Sequence, residues 1–350
     1  DFCLSRGLGD VYKRQLLPLC KRMGLPLPED LALRGTVDGA IGYSNRSGLA
    51  GGLLLNDLVA TLPDLPPLHA AFASAKFAPD SIHFDPAVIQ TSFGGTLRAG
   101  GDYRLGTRRI VASLILDEFP VDALNSSVGP WLSPPSGLAI FGKGDLTGQL
   151  IYEHAGTEPA LWSGQLEFAN ATVVPPGLAV PLTHSDGRIT FDHSTFNLQR
   201  FSGSLREERV RGDYNYNALL KHSERLHLHL PSADLSEMEA ALDPTLRAQG
   251  FLARLRFGQR AIPPWLATRN LEADVIVDEF SVNSAILGPL HSHLIWRGTT
   301  LQFSSVQLNL PQGRISAHGT LTLAGYLPRC RFAAVVTGFA WKGGFLNADG

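Results

Sequence analysis

Apolar and polar residues alternate with a period of two along most of this chain. Leu226-His227-Leu228-His229-Leu230 is the plainest instance, with leucines on one side and histidines on the other, and Leu308-Asn309-Leu310 and Leu321-Thr322-Leu323 repeat it. Successive side chains of a strand point to opposite faces, so this period predicts a sheet with one dry and one wet face. The alternating runs are short and consecutive and are broken by Gly and Pro. Hairpin-linked antiparallel pairing is the economical topology for such a chain. The same alternation assigns Leu53, Leu55, Ile82, Phe84, Leu114, Leu116, Ile189, Phe191, Phe196, Leu198, Leu226, Leu228, Leu230, Val275, Val277, Leu301, Phe303, Leu308 and Leu310 to the dry face. Two strands run into short helical stretches, 120–124 and 234–242. Ser232 or Asp234 is placed to cap the second and Pro244 to stop it.

Certain landmarks recur in constant order. Pro67-Leu68-His69, Pro181-Leu182-Thr183-His184 and Pro289-Leu290-His291 stand 114 and 108 residues apart. Each precedes a strand that ends on phenylalanine, at Phe84, Phe191 and Phe303, and then a glycine-led strand at Gly101, Gly212 and Gly319. Four anchors, counting the strand upstream of each proline, predict a repeat of roughly 110 residues. The boundaries are 34–127, 128–242 and 243–350, the last one truncated, with 16–33 as the helical remnant of a preceding copy. Residues 5–15 resemble one reading frame of a sequencing-library adaptor, so 1–15 are set aside as an artefact without structure of their own.

Composition narrows the picture further. A hydrophobic content of 44% is ample for a buried core, and 36 glycines, 23 prolines and only two methionines favour many short strands over a helical bundle. Thirty basic against 32 acidic residues leave a formal charge of −2, so no basic field exists to hold nucleic acid. No apolar run approaches the roughly 20 residues of a membrane-spanning helix. With Cys3 inside the excluded segment, Cys20 and Cys330 remain, far apart and without zinc-ligand spacing, so no metal site or other cofactor is expected.

Candidate chemistry is thin. His227 with His229, and His291 with His293, share a strand face in each pair but lack a third ligand, and read as a polar stripe. Asp117-Glu118 and Asp278-Glu279 are neighbours in sequence and so point to opposite faces, which rules out an acid–base couple within either pair. Arg211-Gly212-Asp213 coincides with a glycine-led strand and reads as structural. The stretch 142–148 lacks the terminal Gly-Lys-Ser/Thr of a phosphate loop. Catalytic residues are not expected, and the chain does not read as an enzyme.

The stretch 162–172, followed by Pro175-Pro176-Gly177-Leu178-Ala179-Val180-Pro181-Leu182 and Gly187-Arg188-Ile189-Thr190-Phe191, resembles the AsmA-like repeat of Gram-negative envelope proteins, and Leu33-Arg34-Gly35-Thr36-Val37-Asp38-Gly39 is similar to its opening strand. The resemblance spans most of 24–345. It implies an all-β, elongated and strongly curved antiparallel sheet, a β-groove, with short connecting helices. It also implies a periplasmic body held to the inner membrane by a helix outside this sequence, and a groove that conducts phospholipid between the membranes or serves outer-membrane biogenesis. The expected partners are phospholipid acyl chains and the inner membrane, with outer-membrane or periplasmic proteins as further candidates. The alternation alone leaves a rival open: a structural scaffold or assembly factor of the envelope, with the dry face sealed by its own chain, demands the same single apolar face.

Overall fold

Alternation of this kind predicts strands nearly everywhere, and strands are what the computed structural model contains. It describes residues 2–4, 31–61, 67–91, 94–121, 139–141, 144–156, 161–174, 179–206, 208–217, 219–220, 223–241, 269–322, 329–341 and 344–349. The chain is all-β, and within each of two compact units the strands form a curved, unclosed sheet. Asp1–Ser133, Lys143–Phe168 and Thr190–His193 make up the first unit, and Pro134–Gly142, Ala169–Ile189 and Ser194–Gly350 the second.

In the first unit β2 (Ala32–Ser44), β3 (Gly48–Thr61), β4 (Leu68–Phe77), β5 (Ser81–Thr91), β6 (Thr96–Arg104) and β7 (Arg109–Pro120) pair in sequence order, and β7 then pairs with β9 (Asp145–Ala155), all antiparallel. A three-residue strand, β1 (Phe2–Leu4), adds to the outer edge of β2 with Phe2 opposite Tyr43. It falls inside the segment set aside as artefact. An open sheet edge offers unpaired N–H and C=O groups that a short apolar strand can use whatever its origin. Tyr12 lies outside the described residues. So does most of the expected remnant at 16–33, and its last two residues, Ala32 and Leu33, already belong to β2.

The second unit begins with β8 (Ala139–Phe141), paired with the end of β10 (Leu161–Val174). β11 (Leu182–Asp192) follows, and β10 and β11 contribute residues to both units. β12 (Thr195–Leu205), β13 (Glu208–Asn217) and β14 (Glu224–Asp234) are consecutive antiparallel neighbours. So are β15 (Asn270–Val282), β16 (Ala285–Arg297), β17 (Thr300–Leu310), β18 (Gly313–Thr322), β19 (Arg329–Trp341) and β20 (Gly344–Asp349). The turn between β15 and β16 is the two-residue kind, with Asn283 and Ser284 both at positive φ, which matches the twist of the strands it joins.

Between the two runs β14 and β15 pair in parallel, with Leu228 opposite Val275. The sheet is therefore mixed, which corrects the expectation of a wholly antiparallel one. Parallel neighbours need a crossover of a dozen residues or more, and the chain from Asp234 to Asn270 is long enough to supply it. It starts with α1 (Leu235–Ala241), the helix read from the sequence. Asp234 caps it by accepting from the Ser236 amide at 2.9 Å, while Ser232, the other candidate cap, donates to Glu208. Val121 begins the helix expected at 120–124, whose remainder lies outside the described residues, as do Pro244, Cys20 and 16–23.

Two devices bend the strands. One is the bulge, where a non-glycine residue takes positive φ and its freed N–H is answered by a side chain of another strand. The Glu118 amide donates to Thr147 Oγ1 at 3.2 Å, the Asn170 amide to Asp186 at 3.0 Å and the Arg200 amide to Asp213 at 2.8 Å. Asp213 of the Arg-Gly-Asp triplet is thus a bulge cap. The other device is a glycine against which the next strand lies so close that a Cβ would overlap it. At Gly101 the obstacle is the Val111 carbonyl, at Gly212 the His227 carbonyl, and at Gly319 the Phe332 ring. Each of these glycines stands opposite a phenylalanine, in the pairs Phe84–Gly101, Phe201–Gly212 and Phe303–Gly319, an aromatic placed over a position that has no side chain of its own. Phe201 fills this role where the spacing pointed to Phe191, which sits at the far end of β11 instead.

Candidate functional site

Residues directly opposite each other on paired strands share a face, so the registers show which expected dry-face residues come together. In the first unit one row runs Leu53, Ala75, Phe84, Gly101, Ala112, Tyr152. A second runs Phe77, Ile82, Tyr103, Ile110, His154. Leu55 stands opposite Ala73, Leu114 between Ala99 and Leu150, and Leu116 between Leu97 and Gly148. Burial is deep here: Ile82, Tyr103 and Leu116 are 1% exposed, Leu53 is buried, and Leu55, Phe84 and Leu114 are half-buried. Ala75, Ile82 and Tyr103 form a core cluster with Phe77, Phe84, Leu105 and Ile110 packed against it.

In the second unit three rows cross the parallel joint without changing face. The first runs Leu198, Tyr214, Leu226, Ala273, Leu294, Phe303, Gly319, Phe332. Another runs Phe201, Gly212, Leu228, Val275, Ser292, Val306, Ala317, Ala334. The last runs Leu230, Val277, Leu290, Leu308, Ile315, Val336. Leu301 joins the face between Trp296 and Leu321, Leu310 opposite Gly313, and Phe196 opposite Tyr216. Ile189 is buried and Phe191 half-buried on β11.

Here the face grows more exposed along the chain. Phe196, Leu198, Leu230, Val277 and Leu308 are buried and Leu226, Leu228, Val275, Leu301, Phe303 and Leu310 half-buried, but Phe332 is 57% exposed. The Phe303 and Phe332 rings meet at 5.9 Å over Gly319. Tyr214, Leu294, Phe201 and Phe332 belong to this surface and were not singled out in the sequence. Their alternation is as good as their neighbours', and only the register reveals which strand they face.

One charged pair lies on the same face. Glu224, 4% exposed, takes its place in the row Tyr216, Glu224, Leu271, Trp296 and accepts from the Arg269 guanidinium at 2.9 Å. The opposite face is wet and carries the histidines in a ladder with carboxylates. His227 lies 3.3 Å and His293 2.6 Å from Asp274, and His229 lies 2.8 Å from Asp278. Among the described residues no group of three or more ligating side chains is arranged to hold a metal ion. Asp278 is thus a histidine partner, and Glu118 a bulge residue.

Comparison with protein-family models, with curated proteins and with solved structures returns no match to this chain. The AsmA-like resemblance rests on the motifs quoted above. Among the described residues no helix is long and apolar enough to cross a membrane, which says nothing of crossing by strands.

Physically, an apolar surface this continuous favours contact with something equally apolar. Burial gives about 0.8 kcal/mol for each CH₂ removed from water. Side chains left partly accessible on the second unit's face hold part of that gain in reserve.

Proposed function

We propose that the chain is a non-catalytic lipid-binding surface in which acyl chains lie along the apolar face while head groups remain in water. The observation that carries this reading is the run of second-unit rows from Leu226 to Phe332, partly accessible and ending on an exposed ring, a multi-strand apolar surface on one side of a sheet whose other side is polar. With the AsmA-like resemblance, the setting is the periplasm, with the inner membrane as anchor point and phospholipid movement between the two membranes as the task. The scaffold reading draws on a different observation, the deep burial of Ile82, Tyr103 and Leu116 in the first unit.

Site-specific photo-crosslinking separates the two. A photoreactive residue at Leu228 or Phe303, in the complete protein in Gram-negative cells, is expected to yield covalently attached phospholipid. Adducts to protein alone at both positions would favour the scaffold.

A further inference from the structure

On the first unit's apolar face, at the end of the row through Ile110, three rings break the aliphatic pattern. His154 stands opposite Ile110, and the Tyr152 ring lies 6.3 Å from the His154 ring and 4.8 Å from that of Trp162. Tyr152 is buried, and burial holds its phenol above the ordinary value. Two nitrogens of this small cluster, His154 Nδ1 and Trp162 Nε1, are buried without a hydrogen-bond partner among the described residues. Water does not reach either of them. Nearly all buried polar groups in folded proteins are paired, and leaving one unpaired costs about a tenfold factor or more in equilibrium terms. Two such atoms beside one tyrosine are a costly arrangement for a surface that only packs.

Their chemistry defines what would satisfy them. An indole N–H donates only, so the partner must offer an acceptor oxygen, and an imidazole nitrogen takes a donor or an acceptor according to its tautomer. A phosphate would call for a cation. Arg109, on the strand paired with β9, is held by Glu153 at 2.6 Å. The fitting group is therefore neutral and oxygen-bearing with an apolar chain attached. We propose that Tyr152, His154 and Trp162 form a recognition station for the ester carbonyl or hydroxyl of an acyl lipid. The station rests on the lipid-binding reading and adds a point of polar selectivity to it, by which a glyceride or phospholipid backbone is told from plain hydrocarbon.

Monoolein and octadecene share a chain length, but only monoolein carries acceptor oxygens. The isotope-labelled full chain, titrated with each, is expected to hold monoolein about tenfold more tightly. The Trp162 indole proton, assigned by its loss in Trp162→Phe, should move downfield with monoolein and stay in place with octadecene. Combining Trp162→Phe with His154→Leu should abolish the preference. Equal affinity for the two probes, or an indole resonance indifferent to monoolein, overturns the station and leaves the apolar-face reading standing. A preference that survives the double substitution also overturns it. Uptake of neither probe overturns both readings. Should the double variant fail to fold, the titration of the unaltered chain decides alone.

Discussion

The two units carry the same alternating pattern and resolve it differently. Around β5 to β7 the dry-face residues Ile82, Tyr103 and Leu116 are almost wholly inaccessible, whereas around β17 to β19 Leu301 and Phe303 are only half-buried and Phe332 is mostly exposed. The difference is not hydrophobicity, since aliphatic and aromatic side chains make up both faces. Local geometry separates them. In the first unit the glycine opposite Phe84 faces a backbone carbonyl, so the next strand comes in close and cannot yield. In the second the glycine opposite Phe303 faces the Arg331 carbonyl and, in addition, the ring of Phe332, a side chain that is itself mostly in solvent. Equal patterns can thus give a packed core in one place and an adaptable surface in another.

Charge is the sharpest way to test that comparison. Ile82→Asp places an unpaired carboxylate in a site without water, which is expected to cost about 4 kcal/mol or more and to unfold the first unit. Phe303→Asp, whose side chain can reach solvent, should cost about 1–2 kcal/mol, mostly from lost packing. Urea titrations of the two variants measure the gap. Equal losses would mean that both faces are sealed alike.

Smaller effects probe the bends. Gly101→Ala drives a methyl into the Val111 carbonyl and should cost about 2–3 kcal/mol. Gly319→Ala meets the Arg331 carbonyl as well as the Phe332 ring, so a comparable cost of about 2–3 kcal/mol is expected, relieved only in part in a Phe332→Ala background. If Gly319→Ala proves the costlier, the surface around Phe332 is stiffer than its exposure implies.

Acid should produce the mildest response. Asp234 is held well below the ordinary carboxylate range by hydrogen bonds from the Ser236 and Ser281 hydroxyls and the Ser284 amide, and Asp85 is lowered by the Ser74 hydroxyl and Lys76. A carboxyl lowered in the folded state stabilises it above the unfolded-state value, and this contribution fades as pH falls. Denaturation midpoints should therefore drop between about pH 5 and pH 3. Asp234→Asn should flatten that drop by weakening the cap of α1, and Asp85→Asn by loosening the wet face of β4 and β5. Profiles as steep as that of the unaltered chain in both variants would show that other carboxylates govern acid stability.

How much of this was legible beforehand can be judged residue by residue. The strands at 53–55, 226–230 and 308–310 were readable, and the helix cap was narrowed to Ser232 or Asp234, because side-chain alternation and helix capping are local properties written within a few residues. All 19 dry-face candidates came out buried or half-buried, for the same reason. Pairing was not readable. Nothing in the spacing shows that β14 and β15 run parallel, or that Phe201, and not Phe191, faces Gly212, since a bulge at Arg200 resets the count between them.

The residue pattern alone therefore specifies a chain of strands with one apolar side, because a period of two has only one physical reading. It determined the polarity of the other side as well, down to the histidine pairs of β14 and β16. The tertiary structure alone decided which residues stand opposite which and where the apolar side is buried or open. It also brought Tyr152, His154 and Trp162 together with two nitrogens unanswered. Each of these depends on how closely one strand approaches the next, and that distance is set by partners far away in the chain.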